Sequence, residues 1–217
     1  MSSIRYRYQT AEIGKYDIHY RTLRDRQQFS DDLGEARALG ISSATWPLFG
    51  VVWPAGEILA RLMVNYDIDS RRILEMGCGI GLASLVLNER MADISATDIH
   101  PCAGDFLQHN SQLNSGRHIP FFRTAWEDRQ IEEIGIFDLL IGSDLLYEQI
   151  HPKSLSMFIK MYSKPRSEVI MVESGRGLGN SFRYRMKCLG YTVTELKGAY
   201  QHLDTKNFKG GIIQFRK

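Results

Sequence analysis

Residues 71–98 read RRILEMGCGIGLASLVLNERMADISATD. Arg72 to Met76 has the length and apolar character of a buried strand, and Glu75-Met-Gly77-Cys-Gly79-Ile-Gly81 overlaps its end. Leu82 to Arg90 then carries apolar residues at helical spacing, with Leu82, Leu85 and Val86 on one side. Ile94 to Thr97 reads as a second strand and ends on Asp98. Strand, glycine turn, helix, strand and acid, in that order, make the first βαβ unit of a nucleotide-binding α/β sheet. The turn must be tight, and a flat adenosine-type ligand must approach bare backbone, so a Cβ would be in the way. An acid at the tip of the second strand can accept hydrogen bonds from both hydroxyls of a ribose. Glu75 can take a cationic group or hold the glycine loop.

The spacing is Gly-x-Gly-x-Gly. The dinucleotide fingerprint Gly-x-Gly-x-x-Gly would need a third glycine where Leu82 stands. A nicotinamide or flavin cofactor is therefore disfavoured and S-adenosylmethionine (SAM) is expected; a glycine turn without a ligand is the plain alternative. A second copy, Glu173-Ser-Gly175-Arg-Gly177-Leu-Gly179, follows another apolar run, Val169 to Val172, with Glu195 at a comparable distance. Only 22 residues remain after Glu195, too few for the rest of a sheet. This copy is expected to be a flexible loop over the site or a mobile crossover.

The 217 residues suffice for one α/β domain and a small extension. With 43% hydrophobic and 24% charged residues, the composition is that of a soluble globular protein. A net charge of +2 does not argue for nucleic acid. Cys78, Cys102 and Cys188 lack metal-like or redox spacing and suit a reducing compartment. No apolar run approaches a membrane span, and MSSIRYRYQT lacks the apolar core of a secretory signal. A cytoplasmic chain, favoured as a monomer, is expected. The six histidines show no triad-like or metal-ligand arrangement, so no metal is assigned.

Outward from the core, Ala11 to Tyr20 reads as a hairpin turning at Gly14-Lys15. Arg21 to Arg26 reads as a solvated turn, with a basic substrate patch as the alternative. Residues 1–44 are taken as an N-terminal extension packed on a main domain of residues 45–217. Trp46-Pro47 and Trp53-Pro54 lead into a helix over 55–66, Pro54 fitting its first turn. Trp53 is either packing or part of the site. Ala103 to Asn114 is read as a helix and Ile119 to Arg123 as strand three. Trp126 beyond it is either a surface aromatic or a neighbour of the adenine. Ile136 to Ile141 is continuous and apolar, as a central parallel strand should be. It ends in Gly142-Ser143-Asp144-Leu145-Leu146-Tyr147, where catalytic groups of such sheets belong. Asp144 and Tyr147 are three apart, so one helical turn would place both over one pocket. His151 to Met161 and Ser181 to Leu189 are read as helices, the second with Arg183, Arg185 and Lys187 on a solvated face. Tyr191 to Leu196 and Gly211 to Phe215 are two final strands.

These features resemble the class I seven-strand SAM-dependent methyltransferases. GSDLLYE at 142–148 is similar to the Asp-x-x-Tyr motif of the methyltransferase-like protein-lysine methyltransferases, and VVWPAGEILARLM at 51–63 to their Trp-Pro segment. Asp-Ile-His-Pro at 98–101 and Trp126 fit as well. The Trp-Pro-Ala-Gly and Glu-Ser-Gly-Arg stretches lean toward the branch that includes the methyltransferase of the electron-transfer flavoprotein β subunit. The resemblance implies a Rossmann-like, doubly wound seven-stranded sheet closed by an antiparallel strand pair, beside the small N-terminal hairpin. It implies that Glu75, Gly77, Gly79 and Gly81, with Cys78 among them, hold the methionine end and ribose of SAM. Asp98 would take the ribose hydroxyls, Trp126 would flank the adenine, Ser143 would lie at the sulfonium side, and Ile99 would be a further cofactor-binding residue. Trp53 would line the cofactor pocket, and Asp144 and Tyr147 would face a substrate amine.

The implied function is methyl transfer to a protein side chain, foremost a lysine ε-amine, with a protein as partner. Transfer to RNA or to a small molecule is the first rival, since fold alone does not fix function. The Asn-Pro-Pro-Tyr signature of base-amine methylation is absent after strand four, which counts against nucleic acid. A SAM-fold protein that binds a partner and catalyses nothing is the second.

Overall fold

A computed structural model describes residues 4–175, 177–196, 208 and 210–217. Of the second glycine copy, Arg176 lies outside the described residues. β1 (Tyr6–Ile13) and β2 (Tyr16–Leu23) pair antiparallel, with Ile13 opposite Tyr16 across the Gly14-Lys15 turn. Gly14 has φ 63°, the left-handed conformation that a two-residue hairpin turn requires.

The hairpin lies on the main sheet's helices, and the charged run at its end is a correction. Arg21 is not on a solvated turn but 7% exposed, inside β2. Its guanidinium sits 4.4 Å from the Tyr6 ring centre and 4.7 Å from that of Phe106, and pairs with Asp105. A planar, weakly hydrated cation is buried cheaply between ring faces when a carboxylate meets its head. Only Arg24, Asp25 and Arg26 are solvated. Two amides spaced one helical turn apart complete the junction. The side-chain oxygens of Asn114 and Asn110 accept the His19 and Arg21 N–H groups, each at 2.8 Å. They stand where a third strand would stand.

After a short helix α1 (Glu35–Ala38) and a 3₁₀ turn at Trp46–Gly50, α2 (Pro54–Met63) begins on proline, whose missing N–H costs nothing there. The main sheet then alternates strand and helix: β3 (Arg72–Met76), α3 (Leu82–Glu89), β4 (Asp93–Asp98), α4 (Ala103–Gln112) and β5 (Phe121–Arg123). β6 (Phe137–Ser143), α5 (His151–Tyr162), β7 (Ser163–Glu173), α6 (Gly179–Cys188), β8 (Thr192–Glu195) and β9 (Gly211–Arg216) follow. β5 starts two residues later than expected. Pro120 has no N–H to give the ladder, and only its carbonyl pairs, with the Ala96 N–H at 2.9 Å.

The strand order is β5-β4-β3-β6-β7-β9-β8. β9 runs antiparallel to both neighbours and closes the sheet as a strand pair with β8. Side chains alternate across it. Ile73, Leu139, Ile141, Ile170 and Val172 enter the core shared with α2, α3 and the hairpin. Leu74, Leu140, Val169 and Met171 enter the core shared with α5 and α6. Buried on both faces, the central strands read as unbroken apolar runs. The strand order reverses between β3 and β6, so the crevice at their carboxyl ends is where a ligand of this architecture binds. Among the described residues, no helix is long and apolar enough to cross a membrane.

Candidate active site

That crevice is a real cavity of roughly 350 Å³, within the range of small-molecule sites. Gly77 and Gly79 reach it from the end of β3, Asp98 and Ile99 from β4, and Ser143 and Asp144 from β6. Trp53, Cys78, Glu75, Trp126 and Tyr147 complete the expected set on its wall. Gly81 is the exception. It precedes α3 with φ 77°, outside the lining, and a Cβ there would drive into Leu107.

The other glycines are also required by the chain itself. Gly77 and Gly79 have φ 58° and 56°. A Cβ on Gly79 would lie 2.7 Å from the Phe49 carbonyl oxygen, and one on Gly77 2.6 Å from Leu145 Cδ2. The bare backbone therefore serves close packing of neighbouring segments, beyond the ligand approach inferred from sequence.

The two acids are held in place. Asp98 Oδ2 accepts the Gly79 N–H and Oδ1 the His100 N–H, both at 2.8 Å. Burial raises its pKa against those bonds. The Ile99 N–H adds a third such bond, and the carboxylate still has acceptor capacity to spare. Glu75 Oε2 accepts the Ser84 N–H at 2.8 Å and the Ser84 hydroxyl, so it tethers the first turn of α3. Burial, with the Asp98 charge adding to it, pushes the Glu75 carboxyl up to about 7. Of the two roles read for Glu75, holding the loop is the one its bonds display.

Asp144 and Tyr147 both reach the cavity, but not on a helical turn. Asp144 has φ 52°, and residues 145–147 are irregular. The Asp144 N–H donates to the Val172 carbonyl at 2.8 Å, and its Oδ1 accepts the Ser174 N–H at 2.9 Å and the Ser174 hydroxyl. These bonds to the end of β7 hold a left-handed residue that a helix would not contain. Ser174 belongs to the second glycine copy, which connects β7 to α6; none of its described residues lines the cavity.

Sequence reasoning missed one wall and one ring. Leu39 to Ile41, Leu48 and Phe49 form a further wall, with Phe49 against the glycine turn. His100 stacks on Phe49 at 3.8 Å and 15°, and burial lowers its pKa to about 3, so the ring is a neutral surface. His151 lines the cavity too, edge-on to Tyr147 at 4.4 Å and to Trp126 at 5.0 Å. The four-residue spacing of Tyr147 and His151 was the available signal. Trp53 does both things asked of it. It lines the cavity, and its indole N–H donates to the Leu48 carbonyl at 2.9 Å. Five carboxylates, those of Glu75, Asp98, Glu127, Asp144 and Glu148, line the cavity; among the described residues, no lysine or arginine does.

The profile of the lysine methyltransferase family matches residues 43–184. The chain belongs to this family. A calmodulin-lysine N-methyltransferase of Arabidopsis thaliana is 27% identical over 157 residues, 66% of this chain and 52% of that protein. The electron transfer flavoprotein β subunit lysine methyltransferase of Mus musculus is 26% identical over 69% of this chain and 60% of its own. The chain thus spans about half to three fifths of the length of these relatives. Among solved structures, a 16S rRNA N2 G1207 methyltransferase of T. thermophilus, with AdoMet and guanosine, superposes with a TM-score of 0.66 at 14% identity. It covers 99% of this chain and 51% of that one. The SAM-bound magnesium protoporphyrin IX methyltransferase of Synechocystis PCC 6803 gives 0.57 at 16% identity, over 75% and 77%. At such identities the likeness is one of fold.

Proposed function

We propose that the protein is a SAM-dependent methyltransferase acting on a lysine ε-amine of a protein. The observation that carries this reading is a cavity at the sheet's switch point lined by five carboxylates and no fixed cation among the described residues. Both SAM and a lysine side chain arrive positively charged. The family supports the acceptor class, and the acid pair Glu75 and Asp98, each raised by burial, fits a cationic cofactor that would relieve it.

SAM supplies a methyl group on a sulfonium. Asp98 would hold the ribose through its remaining lone pairs. Gly77, Cys78 and Gly79 would face the methionine end, Ile99 and Trp126 the adenine, and Ser143 the sulfonium side. Glu75 would keep α3 and the turn in register. Asp144, pinned to β7 through Oδ1, would orient the lysine nitrogen, and Tyr147 would wall the approach. Neutralising a lysine at pH 7 costs roughly 4–5 kcal/mol from its reference pKa of about 10.4. A carboxylate at the entrance attracts and aligns the ammonium, and its proton leaves to water.

Calorimetry with SAM, then tritiated-methyl transfer to a cell extract with RNase and protease controls, tests this. Label sensitive to protease, and kept by Asp98→Asn only in proportion to its weakened SAM binding, is expected. Asp144→Ala should bind SAM within about threefold yet transfer nothing. RNase-sensitive label, or normal turnover by Asp144→Ala, would overturn the reading.

A further inference from the structure

The segment that would face the acceptor, Asp144 to Tyr147, has neither helix nor strand to hold its shape. Its first residue is fixed by β7 through Val172 and Ser174. Its far end must be fixed by something else, because Tyr147 is 44% exposed and α5 begins only at His151.

His151 fills that place. Its Nδ1 lies 2.8 Å from the Leu145 carbonyl oxygen and 3.3 Å from the Glu148 N–H; the shorter contact is to a group that can only accept, which puts the proton on Nδ1, and both tie the ring to the 145–148 turn. The helix thereby reaches back and clamps the middle of the turn. The same ring is the common neighbour of two aromatic side chains that line the cavity. Trp126, beyond β5, meets it at 82°, and Tyr147, beyond β6, at 89°. Edge-to-face contacts of this kind fix ring orientation as well as position. With Nδ1 protonated, Nε2 is an acceptor in the neutral ring; Glu148 Oε2 lies 3.7 Å from it. Of the residues assigned to the cofactor, Trp126 touches this ring.

We propose that His151 is a positioning residue for the acceptor half of the site. Through Nδ1 it fixes the Asp144–Tyr147 turn, and through its ring it orients Tyr147 and Trp126 on the cavity wall. The role rests on the lysine-methyltransferase reading, because it presumes that an acceptor side chain reaches those rings. His151 does not exchange protons with the acceptor in this assignment.

Three variants separate the two contacts. His151→Asn keeps a donor near the Nδ1 position and loses the ring; His151→Phe keeps the ring and loses the donor; His151→Ala loses both. With the cell-extract proteins as acceptor, His151→Ala should raise the half-saturating extract concentration and lower kcat, for a combined loss of about tenfold or more. SAM affinity by calorimetry should stay within about threefold, and the Asn and Phe variants should each recover part of the loss. Unchanged transfer by His151→Ala would overturn the role. So would a loss of SAM affinity that matches the loss of transfer, because His151 would then serve the cofactor or the fold.

A second measurement needs no acceptor. Long-range proton–nitrogen NMR should show the His151 ring protonated at Nδ1 at neutral pH, and His151→Ala should shift the Trp126 indole and Tyr147 ring resonances while leaving the Gly77 and Gly79 amides in place. If the wild type methylates nothing but these signatures appear, the functional reading fails and takes the role in transfer with it, while the clamp on the turn is confirmed as geometry. A ring protonated at Nε2 alone, or unmoved Trp126 and Tyr147 signals, sinks the role whatever the activity.

Discussion

Two stretches of this chain share one pattern, Glu-x-Gly-x-Gly-x-Gly, at 75–81 and at 173–179. Both follow a buried strand and precede a helix, and both use left-handed glycines. What differs is what stands around them. A Cβ at Gly77, Gly79 or Gly81 would strike Leu145, the Phe49 carbonyl or Leu107. At Gly175 and Gly177, with φ 81° and 90°, no described atom lies within 4 Å of the Cβ position. The first copy is closed in by segments from across the chain and forms a floor of the cavity. The second turns in open space and contributes Ser174 to Asp144. A motif thus states a backbone conformation, and enclosure by distant residues turns that conformation into a site.

The sharpest way to break this comparison is Gly79→Ala. It adds left-handed strain to a clash with rigid backbone, an expected loss of about 4 kcal/mol in chemical denaturation together with SAM binding. Gly81→Ala meets the end of a side chain instead, and should cost about 3 kcal/mol while the cavity lining stays intact.

The Glu75→Gln variant sharpens the comparison through pH. The Glu75 pKa is raised in the folded protein from 4.5 to about 7, so the folded state holds a proton that the unfolded state releases. Stability from this group therefore falls as pH rises between those values, and the cost is complete above about 7. Glu75→Gln should be more stable than wild type by about 3 kcal/mol at pH 8, with the gain vanishing near pH 4. A gain independent of pH would mean that Glu75 is ionised in both states. The smallest effect is expected of Gly177→Ala, about 1 kcal/mol from backbone strain alone, with SAM affinity unchanged. A loss there as large as at Gly79 would erase the distinction between the copies.

What the sequence disclosed follows the same line. β3 was readable residue by residue, and β4 nearly so, because local periodicity dictates both. The central strand β6 was legible because burial on both faces leaves an unbroken apolar run. Arg21 was misread, because nothing near it in sequence announces the Phe106 ring or the Asp105 carboxylate. The Asp144–Tyr147 spacing correctly brought two residues to one cavity for the wrong geometric reason. Its true shape depends on Val172 and Ser174, some thirty positions away. His151 was passed over for the same cause: its three partners converge only once β5, β6 and α5 are packed.

Asn110 couples the two parts of the molecule more directly than their packing does. Its side-chain oxygen takes the Arg21 N–H of the hairpin at 2.8 Å, and its side-chain nitrogen gives a bond to the Ile80 carbonyl of the glycine turn at 3.1 Å. One amide is thus a rivet through two layers. Hairpin and cofactor turn should open to hydrogen exchange as a single cooperative unit, with the protection of the Arg21 amide tracking that of the turn. Whatever grips or loosens the hairpin from outside is then felt where the cofactor's ribose would lie, with no hinge between.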